Sequence, residues 1–211
     1  MPTGTSSDPR SLSASAMRPE IKVCGVNDTA FAAAAARAGV DYLGFIFAPS
    51  SPRFVTEAKA AEIVAALGGF GACRARKVGV FVSQGADEIL GVMRRLGLDV
   101  VQLHRRATEA DVAALRSAGF EVWTLAGGAT GDGVLFDSSH GDGDSAFARG
   151  PYKSVVAGGI GEDNVGEAIA LAPDVIDVNS SLETSPGVKS EALLARFLEK
   201  ARALLGAHGN V

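Results

Sequence analysis

The stretch IKVCGVNDTAFAAAAARAGVDYLGFIF, Ile21–Phe47, decides the fold. It opens on a short apolar run, Ile21–Cys24. It then passes into an Ala-rich helical run over 29–38, stops at Gly39 and resumes as a second apolar run, Tyr42–Phe47. The same alternation continues to residue 206. Further strand candidates are Lys77–Val82, Val100–His104, Glu121–Leu125, Gly133–Phe136, Ser154–Ala157 and Val175–Val178. Helical patterns lie over 57–67, 86–96, 109–118, 163–171 and 190–205, with Thr56 and Thr108 suited to N-caps. Gly39, Gly68, Gly97, Gly119 and Gly206 stand where left-handed C-caps belong. Strands alternating with helices argue for a parallel sheet, and eight such strands argue for a closed (β/α)8 TIM barrel. An open doubly wound sheet is the alternative. Residues 126–132 are too short and Gly-rich for a helix, so the fifth helix is expected to be weak or absent, and 137–152 hold at most a short one.

Composition narrows the function. The chain has 211 residues, 47% of them apolar, which is enough for a sizeable core. Net charge is −4 with no basic stripe, and 6% of residues are aromatic, so nucleic acid is not an expected partner. Cys24 and Cys73 make no disulfide framework and lack zinc-ligand spacing, so no metal is expected. No apolar run reaches membrane-spanning length. The first residues are rich in Ser, Thr and Pro, with Arg10 but no apolar signal-peptide core, and Met17 is a second candidate start. The expected layout is a disordered extension over 1–19, one barrel domain over 20–206 and a flexible tail over 207–211, in the cytoplasm.

In such a barrel the strand C-termini and the loops after them form the site. Cys24 ends the first strand; a lone thiol there is either a reactive group or a small buried hydrophobe. Lys22 shares its strand face, and Asp177 lies on the eighth strand, which neighbours the first in a closed barrel. Lys22 and Asp177 are therefore placed to pair, as a structural ion pair or as part of a site, and the ammonium would favour a Cys24 thiolate. Arg53 follows the second strand in a loop stiffened by Pro49 and Pro52: an ordinary loop charge, or a fork for a carboxylate. Gln102 and His104 share a face at the end of the fourth strand, where a lone His is either a core residue or a substrate contact. Asp137 ends the sixth strand, and with Cys24 it makes an acid and base pair of the kind a sugar-phosphate isomerisation needs. Gly158-Gly159 is either a plain turn or a place for backbone N–H groups to meet an anion. Ser180-Ser181 at the matching place in the next loop favours phosphate. His140 and His208 read as incidental.

Taken together, these residues resemble the phosphoribosylanthranilate isomerase family of tryptophan biosynthesis, over roughly 20–205. The likeness is carried by Lys22-Val23-Cys24-Gly25, Gly44-Phe45-Ile46-Phe47, Ser51-Pro52-Arg53, Val78-Gly79-Val80-Phe81 and Gln102-Leu103-His104. It continues through Gly158-Gly159 with Asn164, and through Glu183, Pro186-Gly187 and Lys189. The resemblance implies a (β/α)8 barrel and an Amadori rearrangement of N-(5-phosphoribosyl)anthranilate to its 1-deoxyribulose form, with no cofactor. It implies Asp137 as the general acid that opens the ribose ring and Cys24 as the base that removes the C2 proton. It gives Arg53 the anthranilate carboxylate, places Gln102, His104 and Asp177 along the pocket, and sets the phosphate on Gly158, Gly159, Ser180 and Ser181. A small phosphorylated substrate is the expected partner, and monomer and homodimer are both open.

The chain departs from the family pattern at Arg105, where Gly is common, and at Asp142 and Asp144 in the loop after the acid. It departs again at Asn179 and Ser181, where the pattern reads Ser-Ser-Gly. The rival readings are the histidine-pathway isomerase, which has Asp where this chain has Cys24, and a non-catalytic barrel that binds a phosphorylated metabolite.

Overall fold

The structure, a computed structural model, describes residues 18–68, 73–139 and 147–208. Residues 1–17 and 209–211 of the expected extension and tail lie outside the described residues, as do His140, Asp142 and Asp144. Eight parallel strands close into a barrel in sequence order: β1 (Glu20–Val23), β2 (Tyr42–Ile46), β3 (Arg76–Phe81), β4 (Val100–Leu103), β5 (Glu121–Leu125), β6 (Gly133–Asp137), β7 (Lys153–Ala157) and β8 (Val175–Val178). β8 pairs with β1, with Lys22 opposite Asp177. The outer helices are α1 (Thr29–Arg37), α2 (Glu57–Ala66), α3 (Ala86–Leu96), α4 (Glu109–Ser117), α5 (Val165–Ala170) and α6 (Glu191–His208). As expected, a turn alone joins β5 to β6. After β8 come a single 3-10 turn, Ser180–Leu182, and a hairpin of β9 (Glu183–Ser185) and β10 (Val188–Lys189).

The helices form for local reasons. Asp28 caps α1 by accepting from the Phe31 N–H at 2.8 Å, and the Ala-rich run then buries Phe31, Ala32 and Ala35 on one face. Thr56 caps α2, Thr108 and Asp111 form a capping box on α4, and Gly97 ends α3 in the left-handed conformation. The expected C-cap at Gly206 is overturned: α6 runs on to His208. One Gly in a terminal turn costs only about 1 kcal/mol against Ala, too little to stop a helix already packed through Leu194, Phe197, Leu198 and Ala201. Apolar residues form two clusters, one between the barrel and its helices and one filling the barrel around Tyr42, Val78, Val100, Trp123 and Val155. No helix of the described residues is long and apolar enough to cross a membrane.

The N-terminal end of the barrel is braced by a repeated device. Asp41, Asp99, Asp132 and Asp174 each stand immediately before an even-numbered strand. Each donates its N–H to the carbonyl of a residue near the start of the preceding strand: Ile21, Lys77, Val122 and Ser154 respectively. Each carboxylate then accepts from the N–H of that same residue, at 2.8, 2.7, 2.9 and 2.7 Å. The odd-strand amide points toward a neighbour that has not yet begun, so the aspartate supplies the acceptor the sheet lacks.

Asp41→Ala strands the N–H of buried Ile21 and should lower stability by about 1–3 kcal/mol, read as the urea midpoint, with Asp41→Asn costing less. Burial pushes the Asp174 carboxyl up, but the Ser154 hydroxyl and amide outweigh it and hold it below the usual range. Burial likewise opposes, and Arg116 with the Val122 amide outweighs it, at Asp132. A depressed folded-state pKa means stability that is present above about pH 4 and lost as pH falls through the folded value. The urea midpoint should therefore drop below about pH 4, and less steeply in Asp174→Asn.

Candidate active site

The C-terminal mouth of the barrel encloses a cavity of about 400 Å³. It is lined by Cys24, Arg53, Gln102, His104, Asp137 and Asp177, and by Gly158, Gly159 and Ser180. Nine of the ten residues expected at the site thus share one cavity. The tenth, Ser181, turns its hydroxyl to the Ile160 carbonyl and so ties the loop after β8 to the loop after β7. Among the described residues, no three His, Cys, Asp or Glu side chains converge as a metal site.

Lys22 lies under the cavity floor. Its Nζ sits 2.7 Å from Asp177 Oδ2, with the two side chains 0% and 6% exposed. Burial lowers the Lys22 pKa, but Asp177 and Cys24 outweigh it and the net direction is up. Burial also drives the Asp177 carboxyl up, against the pull of Lys22. The short contact decides for the ion pair, because an ammonium at that distance satisfies the carboxylate that burial alone would neutralise. Asp177 Oδ1 and Gln102 Oε1 are buried without a hydrogen-bond partner among the described residues. Both are acceptors, so the cavity floor asks for O–H or N–H donors.

Cys24 follows β1, and its N–H donates to Val178 O at 2.9 Å. Lys22 acts in the expected direction, toward the thiolate, but does not decide the outcome. Burial raises its pKa and is the largest influence; Lys22 opposes this without overcoming it. Gly44 on the next strand makes room for the arrangement, since a Cβ there would lie 3.1 Å from Cys24 Sγ and 3.2 Å from Lys22 Nζ.

Asp137 ends β6. Its Oδ1 accepts from the Ser139 N–H at 2.9 Å and the Ser139 hydroxyl at 2.6 Å. Its Oδ2 faces His104 Nε2 at 3.9 Å, and His104 Nδ1 is 3.5 Å from Gln102 Nε2. Arg53 is gripped by Glu183: Nε donates to Oε1 at 2.7 Å and Nη2 to Oε2 at 2.9 Å. Gly158 and Gly159 both take positive φ, +99° and +63°, which turns the backbone sharply before α5. Arg105 lies outside the cavity lining, held in a fork by Asp111 at the start of α4.

Ser139 was not among the residues expected at the site, and Glu183 and Lys189 were quoted only as part of the family pattern, with no role given. Ser139 follows its partner Asp137 by two residues, and an Asx-type turn there was a readable signal. Glu183 meets Arg53, and Lys189 meets Glu183, through the packed hairpin, a contact that residue spacing does not announce.

Comparison with known proteins gives one answer. The profile of the N-(5'phosphoribosyl)anthranilate (PRA) isomerase family matches residues 21–200. The N-(5'-phosphoribosyl)anthranilate isomerase of Granulibacter bethesdensis is 33% identical over 208 residues, covering 87% of this chain and 98% of that protein. The crystal structure of the phosphoribosyl anthranilate isomerase of Thermus thermophilus is 29% identical with a TM-score of 0.75, over 88% of this chain and 99% of that one. A phosphoribosyl anthranilate isomerase in complex with reduced 1-(o-carboxyphenylamino)-1-deoxyribulose 5-phosphate is 25% identical with a TM-score of 0.75, over 88% and 99% of the two chains.

The thiol geometry predicts an order of labelling. At neutral pH iodoacetamide should modify half-buried Cys73 before buried Cys24, whose alkylation should rise only above the ordinary thiol range. Peptide mass spectrometry across a pH series reads both sites. Faster labelling of Cys24 at neutral pH would show that the Lys22 ammonium prevails over burial.

Proposed function

Because the chain belongs to the N-(5'-phosphoribosyl)anthranilate isomerase family, whose members are isomerases of tryptophan biosynthesis, we propose that its own cavity performs the Amadori rearrangement of N-(5-phosphoribosyl)anthranilate. The observation that supports this best is the convergence of Cys24, Asp137 and Arg53 on one cavity from the ends of three different strands. An isomerisation of this kind needs an acid, a base and a grip on each end of the substrate.

Asp137 is the acid. Ser139 orients the carboxyl through Oδ1, and the carboxyl proton passes to the ribose ring oxygen as the C1–O bond breaks, leaving a Schiff base. Cys24 is the base. Its thiolate, formed against burial with the Lys22 ammonium beside it, takes the C2 proton; the electrons move toward nitrogen, and the resulting enolamine tautomerises to the ketone. Arg53 holds the anthranilate carboxylate, while Ile46, Val80 and Val82 offer the ring an apolar wall. Gln102, His104 and Asp177 meet the sugar, and the orphan oxygens of Gln102 and Asp177 accept its hydroxyls. The phosphate rests on backbone N–H groups of Gly158, Gly159 and the Ser180-Ser181 turn. Residues 20–206 form the catalytic domain. The enzyme works in the cytoplasm on a small phosphorylated substrate, as monomer or homodimer, without nucleic acid or membrane.

A fluorescence assay following loss of phosphoribosylanthranilate tests the roles. Asp137→Asn keeps the shape but has no proton to give, and kcat should fall about a hundredfold or more. Arg53→Ala should raise KM more than it lowers kcat, because a carboxylate remote from the reacting carbons is held equally before and in the transition state. Near-normal kcat in Asp137→Asn, or wild-type KM in Arg53→Ala, would remove that residue from its role.

A further inference from the structure

The residues behind Arg53 form a closed polar cluster. Glu183 takes the Nε–Nη2 edge of the guanidinium, using two of its five N–H donors and leaving the end formed by Nη1 and the second Nη2 hydrogen. Glu183 Oε1 also accepts from Lys189 Nζ at 2.8 Å. Lys189 spends its other donors on Asn179, at 2.9 Å to the carbonyl and 2.7 Å to Oδ1. Three acceptors around one nitrogen match an ammonium, and this side chain is 0% exposed. Two cations and one carboxylate leave a net charge of +1, and Arg53, 21% exposed, is the charged member that lines the cavity.

The cluster is also clamped mechanically. The hairpin that supplies Glu183 and Lys189 turns at Gly187, φ +82°, where a Cβ would strike the Pro52 carbonyl in Arg53's own loop. Asn27 of the loop after β1 donates to the Gly187 carbonyl at 3.1 Å. A Cβ on Gly25 would lie 2.9 Å from Arg53 Cδ and 3.0 Å from Asn179 Oδ1. A free arginine on a loop samples many rotamers, and this one is fixed before any ligand arrives.

We propose that Glu183, backed by Lys189, is the positioning residue that makes Arg53 selective for a single carboxylate. Glu183 orients the guanidinium, and Lys189 offsets the charge Glu183 brings, so that one positive charge remains for the ligand. This rests on the Arg53 assignment above, and the test separates the two.

The experiment measures affinity for two probes: reduced 1-(o-carboxyphenylamino)-1-deoxyribulose 5-phosphate and the same compound lacking the ring carboxylate. The ratio of the two affinities reports the carboxylate contact alone, which a general loss of structure does not move. Glu183→Gln should weaken the carboxylate probe about tenfold and the other by less than about twofold, the scale of one charge-assisted contact. Glu183→Asp, which keeps the charge but withdraws the fork by one methylene, should show the same selective loss and serves where Glu183→Gln yields little folded protein. Lys189→Met should also lower the ratio, because the cluster then has no net charge. Arg53→Ala is the control. If it leaves the ratio unchanged, the Arg53 assignment fails and this inference with it. If Arg53→Ala collapses the ratio while both Glu183 variants keep the wild-type value, the positioning role is overturned and Arg53 acts alone.

Discussion

Lys22 and Asp177 meet where the barrel closes, and the site depends on that contact. The two are register partners across the β1–β8 seam, 2.7 Å apart and almost wholly buried. Either charge alone at that depth would cost several kcal/mol, on the order of what a domain has to spare. A one-residue slip of β1 would part them and turn every β1 side chain to the opposite face. The pair therefore specifies the closing register, and the register places Cys24 at the mouth, two residues beyond Lys22. Gly44 on the other flank of β1 completes the constraint, because a side chain there would press on both Cys24 Sγ and Lys22 Nζ.

The two ends of the barrel handle polar groups differently. At the N-terminal end nearly every group is reciprocated within the protein. The four aspartates each make a two-way bond to a strand start, Lys153 bonds both Tyr42 and Glu20, and the Trp123 indole donates to Glu121 at 2.7 Å. At the mouth, Asp177 Oδ1 and Gln102 Oε1 stay buried and unpaired among the described residues. An unmet buried acceptor costs about 1–3 kcal/mol, a load the braced end can carry. Stability is thus concentrated at the end remote from chemistry, as expected of this fold.

Most of the fold was legible in the sequence because it is written locally. Apolar runs such as Tyr42–Phe47, caps such as Thr108, and glycine stops such as Gly97 each act within a few residues, and the structure reproduces them nearly in place. The cavity's lining was legible for a related reason: in this fold, position at the end of a strand is position at the mouth, so Cys24, Gln102, His104 and Asp137 could be picked by counting along strands. Even the Lys22–Asp177 contact followed from closure alone. What stayed hidden depends on tertiary balance. The Cys24 thiol is governed by burial rather than by its charged neighbour, and no pattern of residue types weighs those two against each other. Glu183 finds Arg53 across a separation of 130 residues, through a hairpin whose packing on Pro52 is a matter of shape.

The layout of charge around the mouth bears on orientation. Going round the barrel, Asp137 ends β6, the Gly158-Gly159 and Ser180 loops follow β7 and β8, Cys24 follows β1 and Arg53 follows β2. Arg53 is the one lysine or arginine among the described residues lining the cavity. In the proposed reading a ligand with two anionic ends meets two unlike receptors: backbone N–H groups near β7 and β8, and a guanidinium fork near β2. A tetrahedral phosphate suits converging N–H groups, and a planar carboxylate suits the fork. In the proposed reading each end is recognised by shape as well as by charge, and the reversed pose sets each anion against the wrong partner. Cys24 lines the same cavity between the loops after β8 and β2, so in the proposed reading the two anchors set which carbon faces its sulfur.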